Sequence, residues 1–352
     1  MKIKDKNILP IIQGGMGIGV SLSKLAGAVM LEGGMGCLSL AMPGYKRDDY
    51  HSQPIFANSE AIKEEITKAK EIAQGKGMLA VNVMVAGNHY GEYVRNACEA
   101  GTEAIISGAG LPLKLPEYVT DGVAIAPIVS SGRAAKLILK TWDMHYLRTA
   151  DFIVIEGAMA GGHLGFKKEE LLNNTYASND EILKDVKEQI KPFEEKYNCT
   201  IPLIVAGGIY DGKDVAHYLN LGASGVQVGT RFIATIECDA SDAFKQQIVD
   251  AKESDIMIID SPAGFPGRAI RTQFLDKVKE ARIPSKHCIK CLTPCNPSST
   301  IYCISEALIE AVKGNLNDGL VFCGAKAYKI DKISDVKSIM NELMSEISEV
   351  QI

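Results

Sequence analysis

An alternation of short apolar runs with segments of helical periodicity is the feature that most constrains the fold of this chain. Each apolar run is typical of a buried parallel strand. The runs are Leu9–Gln13, Cys37–Leu40, Leu79–Val85, Ala104–Ser107, Ala124–Val129, Phe152–Ile155, Ile201–Ala206 and Gly225–Val228. The helical segments between them are Ser21–Leu31, Ser59–Gln74, Tyr90–Ala100, Arg133–Leu147, Asn179–Tyr197 and Asp211–Leu221. This α/β alternation predicts a (β/α)8 TIM barrel, although strand number alone does not exclude a doubly wound sheet.

The alternation stops after the eighth run. From residue 233 to residue 318 the sequence shows no strand alternation and predicts a helical insert after the eighth strand. Its helical stretches are Ser241–Glu253, Arg268–Ala281 and Thr300–Lys313. We therefore expect a barrel domain over residues 1–232 and 319–352, which ends in a closing helix at Ser334–Ile347. The segment 233–318 would form an insert or lid, which would exclude water from a pocket at the barrel mouth.

Charge and composition exclude several classes of partner. The net charge is −5 and the pI is about 5.8, whereas nucleic acids and anionic membranes require a basic surface. No apolar stretch approaches the length of a membrane span, and the apolar run after the charged residues 1–7 is too short for a signal peptide. We expect a cytoplasmic protein that acts on a small molecule without a nucleic-acid or membrane partner. The sequence leaves open whether the chain forms a homo-oligomer.

A glycine-rich turn at Glu156–Gly165 directly follows the sixth apolar run. Such a turn lies at the carboxyl end of its strand, where barrels and open α/β enzymes hold their ligands. Few side chains would separate the backbone from a ligand there, and His163 would deliver an imidazole to the pocket. The alternative is a structural strand-to-helix turn that carries a surface histidine.

Glycine or a small polar residue also follows most of the other runs. The candidate ligand contacts at these strand ends are Gly14, Gly15 and Met16 after the first run, Asn82 in the third, Ser107 in the fourth, Gly207 and Gly208 after the seventh, and Gln227, Val228, Gly229 and Thr230 in and after the eighth. In a barrel they converge on one face, where a large flat ligand needs close backbone approach. The loops after the seventh and eighth strands are the usual phosphate site of such barrels. Arg231 would add a charge-assisted contact or serve a structural ion pair.

Other motifs are weaker. Gly15-Met16-Gly17-Ile18-Gly19 lacks the G-x-G-x-x-G spacing of dinucleotide-binding folds, and no G-x-S-x-G elbow supports a serine hydrolase. The cysteines Cys288, Cys291, Cys295 and Cys303 cluster in sequence, but their spacing matches neither a zinc ribbon nor a ferredoxin. We therefore assign no metal site, and whether these cysteines bind a metal or remain thiols stays open.

Five motifs in order resemble the nitronate monooxygenase family, formerly called 2-nitropropane dioxygenase. They are Pro10–Met16, Val81–Met84, Ala158–His163, Ala206–Ile209 and Gln227–Phe232, and Gly319–Lys329 resembles the family's return segment. The same motifs resemble the FMN-dependent enoyl-acyl-carrier-protein reductases of that superfamily. The resemblance implies an FMN-containing oxidoreductase.

The resemblance also implies roles for individual residues. Gly14, Gly15 and Met16 would border the isoalloxazine ring, Asn82 would contact it, and Glu156 with Gly161 would line its other side. Ser107 and Gly162 are further candidate cofactor contacts. Gly207, Gly208 and Gln227 to Thr230 would hold the phosphate. His163 matches the family's catalytic histidine.

Two reactions follow from the resemblance. As a nitronate monooxygenase, the protein would oxidise an alkyl nitronate with dioxygen to a carbonyl compound and nitrite. His163, with an ordinary pKa near 6.5, would also suit removal of the α-proton of a neutral nitroalkane. As a reductase, the protein would use NAD(P)H to reduce FMN and then an enoyl thioester. Glu156 favours the reductase, because many nitronate monooxygenases carry glutamine there, whereas an acidic surface disfavours an acidic carrier protein.

Overall fold

Eight parallel strands form a closed barrel in the computed structural model, which describes residues 1–350. The barrel strands are β1 (Ile11–Gln13), β2 (Met35–Ser39), β3 (Met78–Met84), β4 (Ala104–Gly108), β5 (Ala124–Val129), β6 (Ile153–Glu156), β7 (Leu203–Ala206) and β8 (Gly225–Val228). Each strand pairs with the next in the chain, and β8 pairs with β1 to close the ring. The predicted TIM barrel is confirmed, and closure of the sheet excludes the doubly wound alternative.

The strands are apolar on both faces because both faces are buried. On β7, Ile204 and Ala206 belong to the core inside the barrel, whereas Val205 packs in the layer between strands and helices. Alternate residues along a strand point to opposite faces, so one apolar run supplies both cores. This double burial is the reason that the barrel strands could be located in the sequence.

Helices surround the barrel. They are Ser23–Leu31, Pro54–Ala73, Tyr90–Glu99, Leu115–Tyr118, Gly132–Tyr146, Lys168–Asn173, Asn179–Tyr197, Gly212–Asn220 and Thr230–Ile233, with the closing helix at Val336–Val350. The closing helix packs against both Gly212–Asn220 and Ser23–Leu31. It therefore takes the position of the eighth barrel helix, although the insert separates it from β8. None of the helices among residues 1–350 is long and apolar enough to cross a membrane.

The insert is not purely helical, which corrects the sequence prediction. It contains the helices Asp242–Val249, Gln273–Glu280 and Ile304–Lys313, and also the strands β9 (Ile256–Asp260) and β10 (Pro266–Ile270). The predicted helix at Arg268–Ala281 was wrong at its start, because Arg268 to Ile270 lie in β10. Strand β10 pairs antiparallel with β9, with β11 (Val321–Phe322) and with the two-residue strand Gly162–His163. The insert is thus joined by backbone hydrogen bonds to the glycine-rich turn after β6.

Candidate active site

A cavity of about 810 Å³ lies at the carboxyl ends of the barrel strands. Loops that follow all eight strands line it, and the insert covers it with side chains such as Phe265, Leu292 and Leu308. A cavity of this size and position is typical of a small-molecule site in a barrel enzyme.

The structure brings most of the predicted site residues to this cavity. The predicted residues that line it are Gly14, Gly15, Met16, Asn82, Glu156, Gly161, Gly162, His163, Gly207, Gly208, Gln227, Gly229 and Thr230. Ser107 and Val228 do not line it. The Ser107 hydroxyl is buried against the Val83 carbonyl and the Tyr90 hydroxyl, and Val228 belongs to the core outside the barrel. For these two residues the cofactor contact stays a prediction that their positions do not support.

Two of these glycines are required by the geometry of the site. Gly207 has φ +93°, and a Cβ there would lie 2.8 Å from the Gly157 carbonyl oxygen. At Gly15, a Cβ would collide with the Asn82 side chain. Positive φ and close approach are both unfavourable for residues with a side chain. The glycines therefore let the ends of different strands approach one another closely.

One corner of the cavity presents hydrogen-bond donors to a ligand. The backbone amides of Gly208 and Gly229 donate to no other backbone group among the described residues. The Thr230 hydroxyl accepts a hydrogen bond from the Gly324 amide at 2.8 Å, which leaves its own proton free to donate. A Cβ at Gly229 would meet only Met16 Sδ, at 3.6 Å, so this position has open space beside it. Hydrogen-bond donors that have no partner and lie beside open space are suited to binding an anion.

The two cationic side chains near this corner already have partners. Arg231 donates to Glu342 at 2.9 Å and to the Tyr210 carbonyl at 2.9 Å. Lys326 pairs with Asp214 at 2.8 Å. Of the two roles considered for Arg231, the structure supports the structural ion pair.

His163 lies where the barrel meets the insert. Its Nε2 atom is 2.7 Å from the Ser261 hydroxyl, and its ring packs edge-on against Phe322 at a centroid distance of 5.3 Å. Burial lowers the pKa of His163 to about 4. The ordinary pKa expected from the sequence is therefore wrong, and the imidazole is neutral at pH 7.

Glu156 ends β6 and lines the same cavity. Burial raises the pKa of its carboxyl to about 8. This group is therefore largely protonated at pH 7 and presents a hydrogen-bond donor rather than a negative charge. A carboxyl group and an imidazole with strongly shifted pKa values in one cavity are typical of a functional site.

Several site residues were missed by the sequence reasoning because they come from the insert and the return segment. Ser261 and Phe265 of the insert and Phe322 of the return segment surround His163. The buried Arg268 donates through one Nη atom to the carbonyls of Ala158 and Ala160, each at 2.6 Å, and so fixes the glycine-rich turn. The Pro- and Gly-containing loop after Ser261 was visible in the sequence, but nothing local indicated its pairing with the turn.

The cysteine-rich segment lies beside the cavity. Cys291 lines it and Cys288 is exposed, and burial raises the pKa of Cys291 to about 11. Within residues 1–350 no group of three or more His, Cys, Asp or Glu side chains is arranged to hold a metal ion. The structure thus adds no support to either of the alternatives left open for these thiols.

Comparison with known proteins places this geometry in context. A family model described as nitronate monooxygenase matches residues 2–346. A probable nitronate monooxygenase from Staphylococcus haemolyticus is 27% identical over 303 residues, which cover 78% of this chain and 79% of that protein. A (3aS,4S,5R,7aS)-5-hydroxy-7a-methyl-1-oxo-octahydro-1H-indene-4-carboxyl-CoA dehydrogenase from Mycobacterium tuberculosis is 26% identical over 274 residues, or 77% of this chain, but the match spans only 65% of that relative.

Solved structures share the fold. FabK from Thermotoga maritima superposes with a TM-score of 0.72 and 26% identity, and the match covers 97% of this chain and 93% of FabK. Nitroalkane oxidase from Streptomyces ansochromogenes superposes with a TM-score of 0.71 over 97% of this chain and 96% of that chain. At 20% identity, the second match shows a common fold only.

Proposed function

This chain belongs to the nitronate monooxygenase family, and we propose that it is an FMN-dependent oxidoreductase that converts alkyl nitronates and dioxygen to a carbonyl compound and nitrite. The observation that carries the proposal is a neutral, half-buried His163, oriented by Ser261, in a cavity that glycines border. Such a site suits a flat cofactor and a substrate that is already ionised.

The residues around the cavity fit FMN. Gly14 and Gly15 line one strand end without side chains, so that a flat ring can approach the backbone there. The buried Gln227 Oε1 atom has no hydrogen-bond partner among the described residues and would accept from a ligand N–H or hydroxyl. The amides of Gly208 and Gly229 and the Thr230 hydroxyl would hold the phosphate. We therefore assign FMN to this cavity, with its phosphate at the ends of β7 and β8.

Replacing Gly229 by alanine should weaken FMN binding by about 10- to 100-fold, the effect expected when hydrogen bonds to a charged group are disturbed. The added methyl group has space within the protein and would intrude only on the bound phosphate. Titration of the FMN-free protein, followed by flavin fluorescence, measures the change.

Gly207→Ala provides the contrast for this experiment. Its Cβ would approach the Gly157 carbonyl at a positive φ, so this variant should lose unfolding stability as well as flavin. A Gly229→Ala protein that binds FMN as tightly as the wild type would place the phosphate elsewhere.

FMN, when bound, supplies the electron acceptor of the reaction. The protein positions the substrate beside it. The neutral His163 ring can donate an N–H hydrogen bond to a nitronate oxygen, and Ser261 holds the ring in place. Phe265 and Phe322 lie against the ring and help to keep water from it. An imidazole whose conjugate acid has a pKa of about 4 is a weak base, so a nitronate suits this site better than its parent nitroalkane.

At pH 7, preformed ethylnitronate should therefore be oxidised with a kcat/KM at least about tenfold above that of nitroethane. No step in activity attributable to His163 should occur between pH 5 and 8, because its proton dissociates near pH 4. Oxygen uptake and nitrite release measure both quantities. Equal rates with nitroethane, together with an activity that rises through a pKa of 6 to 7, would show that His163 acts as a general base.

The second candidate is an NAD(P)H-dependent enoyl-acyl-carrier-protein reductase, and Glu156 is the observation that favours it. To separate the two functions, oxygen uptake with a nitronate is compared with anaerobic NAD(P)H oxidation in the presence of crotonyl thioester. Rapid flavin reduction by NAD(P)H without any response to nitronate would reject the monooxygenase.

A further inference from the structure

The charges around the cavity are confined to one side of the barrel. Among the described residues, the cations that line the cavity are Arg231 and Lys326, in the loop after β8 and the return segment. Both are already paired with carboxylates, Glu342 and Asp214. The anion corner formed by Gly208 and Gly229 lies at the ends of β7 and β8. In a closed ring of eight strands, β3 and β4 stand opposite these two strands.

The side of the cavity at β3 and β4 is apolar. Met84 is the last residue of β3, and it packs in one cluster with Leu292, Ile304 and Leu308 of the insert. All four side chains line the cavity. We call these four residues the chain pocket.

The cysteine-rich segment closes the chain pocket from above. Leu292 forms an antiparallel β-bridge with Gly87. The Asn88 amide donates to the Cys291 carbonyl at 3.0 Å, and the Thr293 amide donates to the Ala86 carbonyl at 2.9 Å. These main-chain bonds fix Leu292 over the end of β3.

Asn82 of β3 lines the cavity at this side and is assigned above to the flavin, whereas the polar groups beside the chain pocket are uncharged and already have partners. The Tyr90 hydroxyl is 2.8 Å from the Ser107 hydroxyl, and the Tyr93 hydroxyl accepts from Asn58 at 3.2 Å. The Asn88 side chain donates to the Lys290 carbonyl, and Ser305 donates to Cys291 Sγ at 3.0 Å. A carboxylate placed here would lose its hydration without gaining a cation, which is strongly unfavourable.

We propose that the chain pocket binds an uncharged hydrocarbon chain, so that the preferred substrates are longer alkyl nitronates rather than nitronates that carry a carboxylate. The identity of the head group rests on the proposed function. The pocket itself rests on the arrangement of apolar residues and charges described above.

Chain binding is tested without turnover by calorimetric titration of the FMN-loaded protein with octanoate and with octanedioate, at a pH where all carboxyl groups are ionised. The two ligands share an anionic head group, as a nitronate has, and differ only in the second carboxylate at the far end of the chain. Octanoate should bind at least about tenfold more tightly, because only octanedioate brings an unpaired charge into the chain pocket. Equal binding, or tighter binding of octanedioate, would overturn the proposal.

A substrate series tests the same pocket during turnover. From ethyl to hexyl nitronate, kcat/KM should rise about fourfold for each methylene group until the pocket is filled, as expected for transfer of a methylene to apolar surroundings. Propionate 3-nitronate should be a poorer substrate than butyl nitronate. A flat series, or a preference for propionate 3-nitronate, would contradict the pocket. If no nitronate reacts while octanoate still binds more tightly than octanedioate, the proposed function fails and the chain pocket stands.

A charge placed in the pocket should reverse the preference. Leu308→Lys should lower octanoate affinity and raise octanedioate affinity, so that the ratio of the two changes by about tenfold or more. Leu172→Lys is the matched control, because Leu172 is 57% exposed and does not line the cavity. An unchanged ratio in a folded Leu308→Lys protein would place the ligand outside the chain pocket. The wild-type titration decides the proposal if this variant does not fold.

Discussion

Replacing His163 by alanine is expected to lower kcat/KM for nitronate oxidation by about 10²-fold or more, while FMN stays bound. The imidazole lies against Ser261, Phe265 and Phe322, on the insert side of the cavity. The groups that we assign to the phosphate belong instead to the loops after β7 and β8. Loss of the ring should therefore remove the hydrogen bond to substrate without removing the cofactor. Steady-state oxygen uptake and the flavin spectrum of the purified variant measure the two effects.

His217→Ala is the matched control for this experiment. His217 is bonded to Asp180 at 3.0 Å on the protein surface and does not line the cavity, so its loss should leave the activity unchanged. Ser261→Ala should give an intermediate decrease in kcat, because the imidazole remains but loses the partner that orients it. An active His163→Ala protein with its full complement of flavin would exclude this histidine from catalysis.

The barrel could be predicted because the information for it is local. Each strand has to bury both faces, so its apolar run is continuous and stands out from the helices around it. The glycines of the mouth were visible for a similar reason. Gly207 adopts a positive φ, and Gly15 approaches the Asn82 side chain closely. Those constraints select glycine at single positions of the sequence.

The partners of His163 could not be predicted because they depend on long-range pairing. Ser261 lies 98 residues further along the chain and is brought to the histidine by β10, which pairs with Gly162–His163. The sequence around Arg268 suggested a helix, but this segment has strands on both sides to pair with. A pairing of that kind leaves no local pattern in the sequence.

The pKa values of the site residues could not be predicted from the sequence either. The sequence indicates a histidine and a glutamate near a ligand, but the pKa of each depends on how deeply the finished structure buries it. The histidine was expected to titrate near neutral pH, and burial instead makes it neutral over the whole physiological range. Whether this residue is basic enough to abstract a proton could therefore be judged only from the structure.

Glu156→Gln should make the protein more stable than the wild type at pH 8.5, by about 2 to 4 kcal/mol, and should change its stability little at pH 5. The folded-state pKa of Glu156 is about 8, above the ordinary value of 4.5 for a glutamate side chain. Between these values the folded protein binds a proton that the unfolded chain does not, so wild-type stability falls as the pH rises through this range. A glutamine does not titrate, and the variant should lose this component of the pH dependence.

The measurement is denaturant unfolding of the FMN-free wild type and variant at both pH values. The pKa of His163 is lowered to about 4 in the folded protein, so His163 makes the protein less stable as the pH falls from 6.5 to about 4, whereas Glu156 makes it less stable as the pH rises. Subtracting the wild-type curve from the variant curve removes that contribution. Glu169→Gln, at an exposed position of the helix Lys168–Asn173, is the control for the general effect of replacing a glutamate by a glutamine. If Glu156→Gln changes stability equally at pH 5 and pH 8.5, the carboxyl is ionised in the folded protein, and Glu156 presents a negative charge to the cavity rather than a hydrogen-bond donor.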